Sequence, residues 1–187
     1  MKVTETKLPE VLIFEPKVFP DDRGFFLETW SRQRYIEAGV EPGFVQDNTS
    51  FSKKGTLRGL HYQYPHSQGK LVQVLDGEVT DVAVDIRVGS PTFGKSVSVV
   101  LSGSNHKQIY IPPGFAHGFC VTSETAFFSY KCTDYYNASA EGGILWNDPE
   151  IEIEWPIAEP SLSAKDASYT ILKDIPRDSL PQFGSVT

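Results

Sequence analysis

The stretch RGLHYQYPHSQGKLVQVLDGE, residues 58–78, decides the fold class of this chain. Its second half, LVQVLD, is a short run rich in aliphatic residues, which is typical of a β-strand. Asp76-Gly77 then predicts a turn, and the apolar pattern resumes directly after it. The stretch holds an arginine, two histidines and a lysine, whereas its acidic residues, Asp76 and Glu78, stand at the far end. It therefore predicts a strand, a turn and a further strand, with imidazole and cationic groups gathered before the turn.

Strand patterns also dominate outside this stretch. In VTDVAVDIRV, residues 79–88, apolar residues alternate with charged ones, which predicts a buried face and a polar face formed by Asp81, Asp85 and Arg87. Four more segments are short and rich in β-branched or aromatic residues: SVSVVL (96–101), HKQIYI (106–111), GFCVT (118–122) and TAFFSYKCT (125–133). Many short strands at close spacing predict a mostly β protein of the sandwich or jelly-roll type.

Helical signals are sparse. SRQRYIEAG has Ser31 as a candidate N-cap and Gly39 as a stop, and SLSAKDASY, residues 161–169, predicts a second short helix. From about residue 170 the chain is expected to be irregular. The length of 187 residues fits one domain spanning residues 1–187.

Composition limits the classes of function. The chain has 17 basic and 24 acidic residues and a formal net charge of −7. An acidic chain without basic runs is a poor partner for nucleic acid or an anionic membrane. The opening residues, MKVTETKLPE, lack the apolar segment of a secretory signal. Cys120 and Cys132 lie outside any CxxC pair, so we expect reduced thiols in a cytoplasmic protein, with a disulfide between neighbouring strands as the alternative.

The spacing around His61 tests for a metal site. Metal-binding cupins, which this chain resembles in architecture, have a motif of Gly, five residues, His-x-His, a gap and Glu. Gly55 precedes five residues and His61, but Gln63 stands at the second histidine and Lys70 at the glutamate. Protonated lysine has no lone pair for a metal. With His117 of PPGFAHGF as the other pocket histidine, the pattern predicts no metal.

A lysine and a histidine together indicate acid–base chemistry instead. A fixed cation such as Lys70 can stabilise an enolate oxygen. His61 can accept a proton at neutral pH if an acceptor orients its second nitrogen, and Asp166 is a candidate for that acceptor. The alternative is a core histidine bonded to the backbone, which is the more frequent role of a single histidine.

The segment FFSYKCTDYY, residues 127–136, contains three candidate proton donors, Tyr130, Tyr135 and Tyr136. Core packing is the more frequent role for any one of them. A hydroxyl that faces Lys70 is expected to have a lowered pKa and to act as an acid. A ring at the pocket rim would instead stack on a nucleobase.

Arg23 and Arg58 are candidate ligands of a diphosphate, because guanidinium groups match its geometry. Each is followed by a glycine, which indicates a tight turn or a close approach of the backbone. The alternative for Arg23 is a surface ion pair with Asp21 or Asp22. The chain has no Walker loop and no Rossmann glycine motif.

The chain closely resembles the deoxysugar-nucleotide 3,5-epimerases along six stretches between about residues 8 and 170. These are EPKVFPDDRGFFLETW, FVQDNTSFSKKGTLRGLHYQ, QGKLVQVLDGEVTDVAVDIR, YIPPGFAHGF, YKCTDYYNASAEGGILWNDPEIEIEWP and LSAKD. The combination of GTLRGLHYQ, PPGFAHGF and YKCTDYY is specific to that family. The resemblance implies a cupin-type jelly roll, which is a double-stranded β-helix with a few short helices. It also implies a homodimer, often with an exchanged N-terminal strand.

The resemblance implies a catalytic role for four residues. His61 is expected to be the general base, paired with Asp166, and Tyr130 the general acid on the opposite face of the sugar. Lys70 is expected to stabilise the enolate at the sugar C4 oxygen. The implied reaction is inversion of C3 and C5 of dTDP-4-keto-6-deoxy-glucose in dTDP-L-rhamnose biosynthesis, without cofactor or metal.

The resemblance also implies how the substrate is bound. Arg23 and Arg58 are expected to hold the diphosphate, and Tyr136 to stack on the thymine. Further contacts with nucleotide or sugar are expected from Glu28, Gln46, Asn48, His117, Glu141 and Lys165.

Three alternatives stay open at this point. The first is a relative that inverts only C3 or only C5, and the second is a sugar-nucleotide ketoisomerase. The third is a non-catalytic sugar-binding cupin, which would have no need of an acid–base set such as His61, Lys70, Tyr130 and Asp166. A metal-dependent oxygenase is disfavoured by Gln63 and Lys70.

Overall fold

A computed structural model of the chain describes residues 1–40 and 43–185. The described strands are β1 (Lys2–Glu5), β2 (Leu12–Glu15), β3 (Val18–Asp21), β4 (Gly24–Leu27), β5 (Gln46–Lys53), β6 (Leu57–Gln63), β7 (Lys70–Asp76), β8 (Glu78–Asp85), β9 (Ser96–Ser102), β10 (Gln108–Ile111), β11 (Phe115–Val121), β12 (Thr125–Cys132) and β13 (Glu141–Gly143). Helix α1 spans Arg32–Glu37, and short 3-10 turns follow at Asp166–Ser168, Leu172–Asp174 and Arg177–Ser179. The prediction of a mostly β fold is confirmed.

Two antiparallel sheets make up the fold. The first has the strand order β1-β2-β10-β7-β12-β5, the second has the order β13-β6-β11-β8-β9, and β3 and β4 form a separate hairpin. The predicted turn at Gly77 is present, with a φ of 83°. It joins β7 of one sheet to β8 of the other and therefore does not close a hairpin. This alternation of consecutive strands between two sheets is the connectivity of a jelly roll.

The main core lies between the sheets and includes Val72 and Phe128 from the first sheet and Phe119 from the second. The predicted polar face of β8 is wrong, because Asp81, Asp85 and the following Arg87 are all buried. Strand β8 lies between β11 and β9 and is covered on both faces, so its charged residues need internal partners. Arg87 pairs with Asp85, with 2.8 Å between Nη2 and Oδ2.

The structure also tests the two predicted helices and the predicted state of the two cysteines. Helix α1 begins after Ser31, and Gly39 follows its end with a φ of 97°. The predicted second helix is reduced to the 3-10 turn at Asp166–Ser168, in a segment whose polar side chains compete for backbone groups. Cys120 and Cys132 are free buried thiols, so the disulfide alternative is wrong. Within the described ranges, no helix is long and apolar enough to cross a membrane.

Candidate active site

A pocket opens between strands of the two sheets. It consists of two adjoining cavities of about 240 and 230 Å³, and His61, Lys70 and Tyr130 line both of them. The remaining lining residues are Gln46, Asn48, Thr49, Ser50, Arg58, Tyr62, Gln63, Gln68, His117, Phe119, Phe128, Tyr136 and Glu141. Strand β6 of the five-stranded sheet carries His61, whereas β7 and β12 of the six-stranded sheet carry Lys70 and Tyr130. The histidine therefore projects from one sheet, and the lysine and tyrosine project from the other.

An irregularity in β6 brings Arg58 to the same pocket as His61. Regular alternation along a strand would place these two residues on opposite sides, but both line one cavity. The register shifts, since His117 pairs with His61 but Phe119 pairs with Arg58, which leaves one extra residue in β6. Gly59 lies within this bulge with a φ of 132°. Arg58 Nε donates to Ser52 Oγ at 3.2 Å.

His61 and Asp166 form a close hydrogen-bonded pair. His61 Nε2 lies 2.5 Å from Asp166 Oδ1, although 105 residues separate the two in sequence. Ser163 Oγ donates to Asp166 Oδ2 at 2.7 Å and accepts from the Asp166 backbone N–H at 3.0 Å. Burial opposes the charge on Asp166, but hydrogen bonds from His61 and Ser163 outweigh it and hold the pKa of this carboxyl below its usual range. The predicted pairing of His61 with Asp166 is present in the structure.

Lys70 places an ammonium group in the pocket. Burial lowers the pKa of Lys70, while Cys132, Asp81 and Glu141 oppose that shift. Its Nζ forms no hydrogen bond or ion pair with any residue in the described ranges. An ammonium with unused donors in a partly buried pocket can bind an oxyanion.

The pKa of Tyr130 is shifted in the direction opposite to the one expected. The lowered pKa predicted from a facing lysine is wrong: burial raises the pKa of Tyr130, and Arg58 only partly offsets this effect. The phenolate would lose more hydration in this pocket than the nearby cations return. Tyr130 is thus a neutral phenol at physiological pH, with a proton to donate.

A second histidine–aspartate pair lies beside the first. His117 Nε2 is 2.9 Å from Asp81 Oδ2, and both side chains are buried. Burial lowers the pKa of His117, which Asp81 opposes and Lys70 and His61 reinforce. No group of three or more His, Cys, Asp or Glu side chains within the described ranges is arranged to hold a metal ion.

A hydrogen-bonded rim surrounds the pocket mouth. Tyr136 Oη donates to Glu141 Oε2 at 2.7 Å, and Lys165 Nζ donates to the same oxygen at 2.5 Å. The backbone N–H of Tyr136 donates to Gln46 Oε1 at 2.9 Å, and Gln46 Nε2 donates to Asn48 Oδ1 at 3.0 Å. Five of the residues that the resemblance implies for substrate binding therefore form one connected network.

Three predicted binding residues do not line this pocket, and one of them, Lys165, reaches its rim only through Glu141. Arg23 lies at the tip of the β3–β4 hairpin with 89% of its side chain exposed, and its Nη2 pairs with Asp21 Oδ2 at 2.6 Å. Glu28 follows the hairpin and pairs with Arg34 at 2.9 Å. Within one protomer, the alternative of a surface ion pair for Arg23 is thus the one observed. Tyr135, a candidate acid, is exposed and lines neither cavity.

Sequence reasoning missed Asp81 and Ser163 as partners of site residues. An aspartate in the otherwise apolar strand VTDVAV signals a buried charge that needs a partner. Ser163 and Asp166 have the Ser-x-x-Asp spacing of a capping box, which places the serine hydroxyl next to the carboxylate. Gln63, which stands where metal-binding cupins have a histidine, donates from Nε2 to Tyr135 O at 3.1 Å and so fixes the loop that carries Tyr136.

The fold and this pocket define a cupin-type carbohydrate epimerase, an isomerase that works by proton transfer. A family model described as dTDP-4-dehydrorhamnose 3,5-epimerase matches residues 5–174. The dTDP-4-dehydrorhamnose 3,5-epimerase of Shigella flexneri is 58% identical over 168 residues, which cover 89% of this chain and 93% of that protein. The chain belongs to the dTDP-4-dehydrorhamnose 3,5-epimerase family, and the predicted family, fold and isomerase class are confirmed.

Two solved structures define the structural similarity. The dTDP-6-deoxy-D-glucose-3,5-epimerase of Legionella pneumophila Philadelphia 1, in complex with dTDP-4-keto-L-rhamnose, is 52% identical with a TM-score of 0.96, covering 98% of this chain and 99% of that chain. A 3'-monoepimerase of Streptomyces bikiniensis, in complex with dTDP-quinovose, is 30% identical with a TM-score of 0.90, covering 96% and 92%. The shared fold therefore accommodates single and double epimerases alike.

Proposed function

We propose that this protein inverts C3 and C5 of dTDP-4-keto-6-deoxy-D-glucose to give dTDP-4-keto-L-rhamnose in dTDP-L-rhamnose biosynthesis. The observation that carries this proposal is the pocket in which His61 on one sheet, hydrogen-bonded to Asp166 of the 3-10 turn, faces Tyr130 and Lys70 on the other sheet. The high identity to the Shigella and Legionella epimerases supports the same substrate.

The chemistry follows from the C4 ketone, which makes the protons on C3 and C5 acidic. Asp166 is hydrogen-bonded to His61 Nε2, so Nδ1 is the nitrogen that takes the proton from C3 or C5 of the sugar. The C–H electron pair forms the enolate double bond, the carbonyl electrons move to O4, and the Lys70 ammonium stabilises that oxyanion. The Tyr130 hydroxyl then donates its proton to the same carbon from the opposite face. Inversion needs the base and the acid on opposite faces, which matches their positions on opposite sheets.

The nucleotide end of the substrate would occupy the rim. Arg58 is exposed at the pocket and offers donors to the diphosphate. Tyr136 is exposed beside Gln46 and Glu141, where its ring is available to stack on thymine. Asn48, His117 and Lys165 complete the proposed set of contacts.

Incubation with dTDP-4-keto-6-deoxy-D-glucose in D2O tests this function. Deuterium read by NMR at both C3 and C5, with accumulation of the inverted product, is the expected result. Label at one carbon only would identify a single-centre epimerase instead, the alternative favoured by the fold shared with the Streptomyces enzyme. No label at either carbon would remove the assignment of His61 and Tyr130.

We further infer a homodimer in which each protomer completes the other's substrate site. The β3–β4 hairpin carries Arg23 and exposes Phe19, Phe25 and Phe26, an apolar surface that is costly to leave in water. Arg23 and Glu28 lie outside the pocket of their own protomer. A second copy that receives this hairpin would gain a guanidinium for the diphosphate and bury the phenylalanines.

Complementation between two damaged sites tests the shared dimer. Arg23→Ala and His61→Ala homodimers should each have low activity at limiting substrate. In a mixed dimer, one site keeps His61 of one protomer and receives Arg23 of the other, so activity should rise on mixing. No rise on mixing, with subunit exchange verified by mass, would contradict shared sites.

We also infer that the chain acts as one domain in the cytoplasm. Residues on β6 and on the 3-10 turn near the end of the chain meet in a single site. The two free buried cysteines suit a reducing compartment. Nothing in the acidic composition favours nucleic acid or an anionic membrane as a partner.

A further inference from the structure

Tyr169 packs against the proposed base without lining the pocket. Its ring centroid lies 5.9 Å from that of His61, with an interplanar angle of 71°. Tyr169 directly follows the 3-10 turn that carries Asp166. On its other side, the carbonyl of Thr170 accepts from Leu145 N at 2.9 Å, and Leu172 N donates to Asp148 Oδ2 at 2.7 Å. The backbone that follows Tyr169 is therefore held by two hydrogen bonds.

The space for this ring depends on Gly143. A Cβ added to Gly143 would overlap the Tyr169 ring, and the backbone of Gly143 is not in the left-handed region. A side chain at Gly143 would therefore clash with the Tyr169 ring, although the backbone conformation there would accept it. Gly143 pairs with His61 across β13 and β6. The missing side chain therefore leaves room for the tyrosine ring directly beside the base.

The ring, and not the hydroxyl, makes the contact that matters. The Tyr169 hydroxyl is buried and does not bond to His61 or Asp166, and the neighbouring group that acts on it is Lys165. Burial raises the pKa of Tyr169, so the phenol stays neutral, and Lys165 offsets this only in part. A neutral aromatic ring next to an imidazole restricts its rotation and keeps water from its hydrogen bond.

We propose that Tyr169 is a positioning residue for the epimerisation. Its ring, in the space left by Gly143, holds the His61 imidazole so that Nε2 stays on Asp166 and Nδ1 stays toward the substrate. The side chain of His61 is 32% exposed, so without this contact the ring could rotate and Nε2 could exchange Asp166 for water. This inference rests on the proposed function, in which His61 is the base.

The experiment compares Tyr169→Ala and Tyr169→Phe by kcat, KM and the pH dependence of kcat. Loss of the ring should lower kcat by about tenfold to a hundredfold, as expected for a misplaced catalytic group, with KM changed less than about threefold. The acid limb of the pH profile should move, because the His61–Asp166 bond becomes open to water. Tyr169→Phe keeps the ring and should retain wild-type kcat and pH profile.

A double-mutant cycle separates positioning from general destabilisation. Gly143→Ala should lower kcat by displacing the ring, but adding it to Tyr169→Ala should cost nothing more, because the methyl group then has room. Phe93→Ala, which removes a ring that lines neither cavity, is the matched control and should leave kcat and the pH profile unchanged below its melting temperature.

The outcomes distinguish a failure of this inference from a failure of the proposed function. If the wild type neither exchanges deuterium nor turns over, the proposed function fails. If the wild type turns over and Tyr169→Ala keeps kcat and its pH profile, only the positioning role of Tyr169 fails. Should Tyr169→Ala not fold, Gly143→Ala with unchanged kcat overturns the inference equally.

Discussion

Two histidine–aspartate pairs lie next to each other in this molecule and differ in their exposure to solvent. His61 and His117 pair across β6 and β11, and each places Nε2 on an aspartate oxygen, at 2.5 Å and 2.9 Å respectively. The side chain of His61 is 32% exposed, whereas that of His117 is 8% exposed and Asp81 is fully buried.

The difference shows that burial, and not the pair itself, decides what a histidine can do. His61 can exchange a proton with a ligand because its side chain lines the pocket and Asp166 binds only one of its two ring nitrogens. Burial lowers the pKa of His117, so this imidazole stays neutral and acts as a fixed hydrogen-bonding group. Asp81 Oδ1 is buried without a hydrogen bond among the described residues, and the Asp81 carboxylate acts against the burial that lowers the pKa of Lys70.

The largest effect is expected when His61, the partly exposed base, is removed. His61→Ala should lower kcat by about 10²- to 10⁴-fold, the usual contribution of a general base. Its melting temperature should change little, because His61 is partly exposed. Turnover and deuterium exchange measure the effect, and His66→Ala, in an exposed loop, is the control. Retained turnover in His61→Ala would remove this residue as the base.

The next test applies the same change to both aspartates. Asp166→Asn removes the carboxylate that orients His61 and stabilises its protonated form, so kcat should fall by about 10²-fold or more with a modest loss of stability. Steady-state kinetics and thermal unfolding report the two effects separately.

Asp81→Asn should affect the stability of the protein more than it affects kcat. It disturbs the buried hydrogen bond to His117 and removes a negative charge that raises the pKa of Lys70. The free energy of unfolding should therefore fall by about 1–3 kcal/mol. Its kcat should fall less than that of Asp166→Asn. A larger loss of kcat in Asp81→Asn would mean that the buried pair, and not the exposed one, carries the proton.

The pH dependence of stability sharpens the comparison further. Below pH ~6.5 the unfolded chain protonates His117, whereas the folded chain, with a lowered pKa at this residue, does not. The stabilisation from His117 is therefore complete above that pH and is lost as the pH falls toward the folded pKa, by at most about 1.4 kcal/mol per pH unit.

Chemical denaturation between pH 8 and pH 5 measures this loss. Wild type and His117→Gln should follow parallel curves above pH 7.5, and the wild type should lose stability more steeply below pH 6.5. Identical slopes in the two proteins at acidic pH would show that His117 takes up its proton without unfolding.

The smallest effect is expected at the rim, where neither pair is touched. Tyr136→Phe removes the hydroxyl that donates to Glu141 but keeps the ring. Since a single hydrogen bond contributes about 0.5–1.5 kcal/mol, KM should rise by roughly twofold to tenfold with kcat unchanged. A fall in kcat at saturating substrate would connect the rim to proton transfer instead of to binding.

Much of the fold was predictable from local pattern. The strands around Gly77, helix α1 between Ser31 and Gly39, and the strand nature of residues 125–133 all follow from short-range rules. The assignment of β7 and β8 to different sheets did not, because a turn signal does not determine which strands pair.

The site was predictable as a set of residues but not as an arrangement. Chemistry alone suggested His61, Lys70 and one of three tyrosines, and the resemblance selected Tyr130. The structure brings His61, Lys70 and Tyr130 to one pocket. The bulge that turns Arg58 toward them depends on the approach of Gly59 to Gly118, where an added Cβ would lie 2.5 Å from Gly118 Cα. Such a contact between strands leaves no periodic signal, and burial of Tyr130 reversed the pKa shift expected from its neighbours.

The segment of residues 163–169 has a consequence for how the protein is made. It carries Asp166, Lys165 and Tyr169, and it follows every strand in chain order. On the ribosome the two sheets can therefore form before the partner of His61 has been synthesised. A nascent chain that stops before Ser163 would contain the pocket but lack its oriented base. Catalytic competence is thus acquired only after the part of the chain that forms the sheets has been translated.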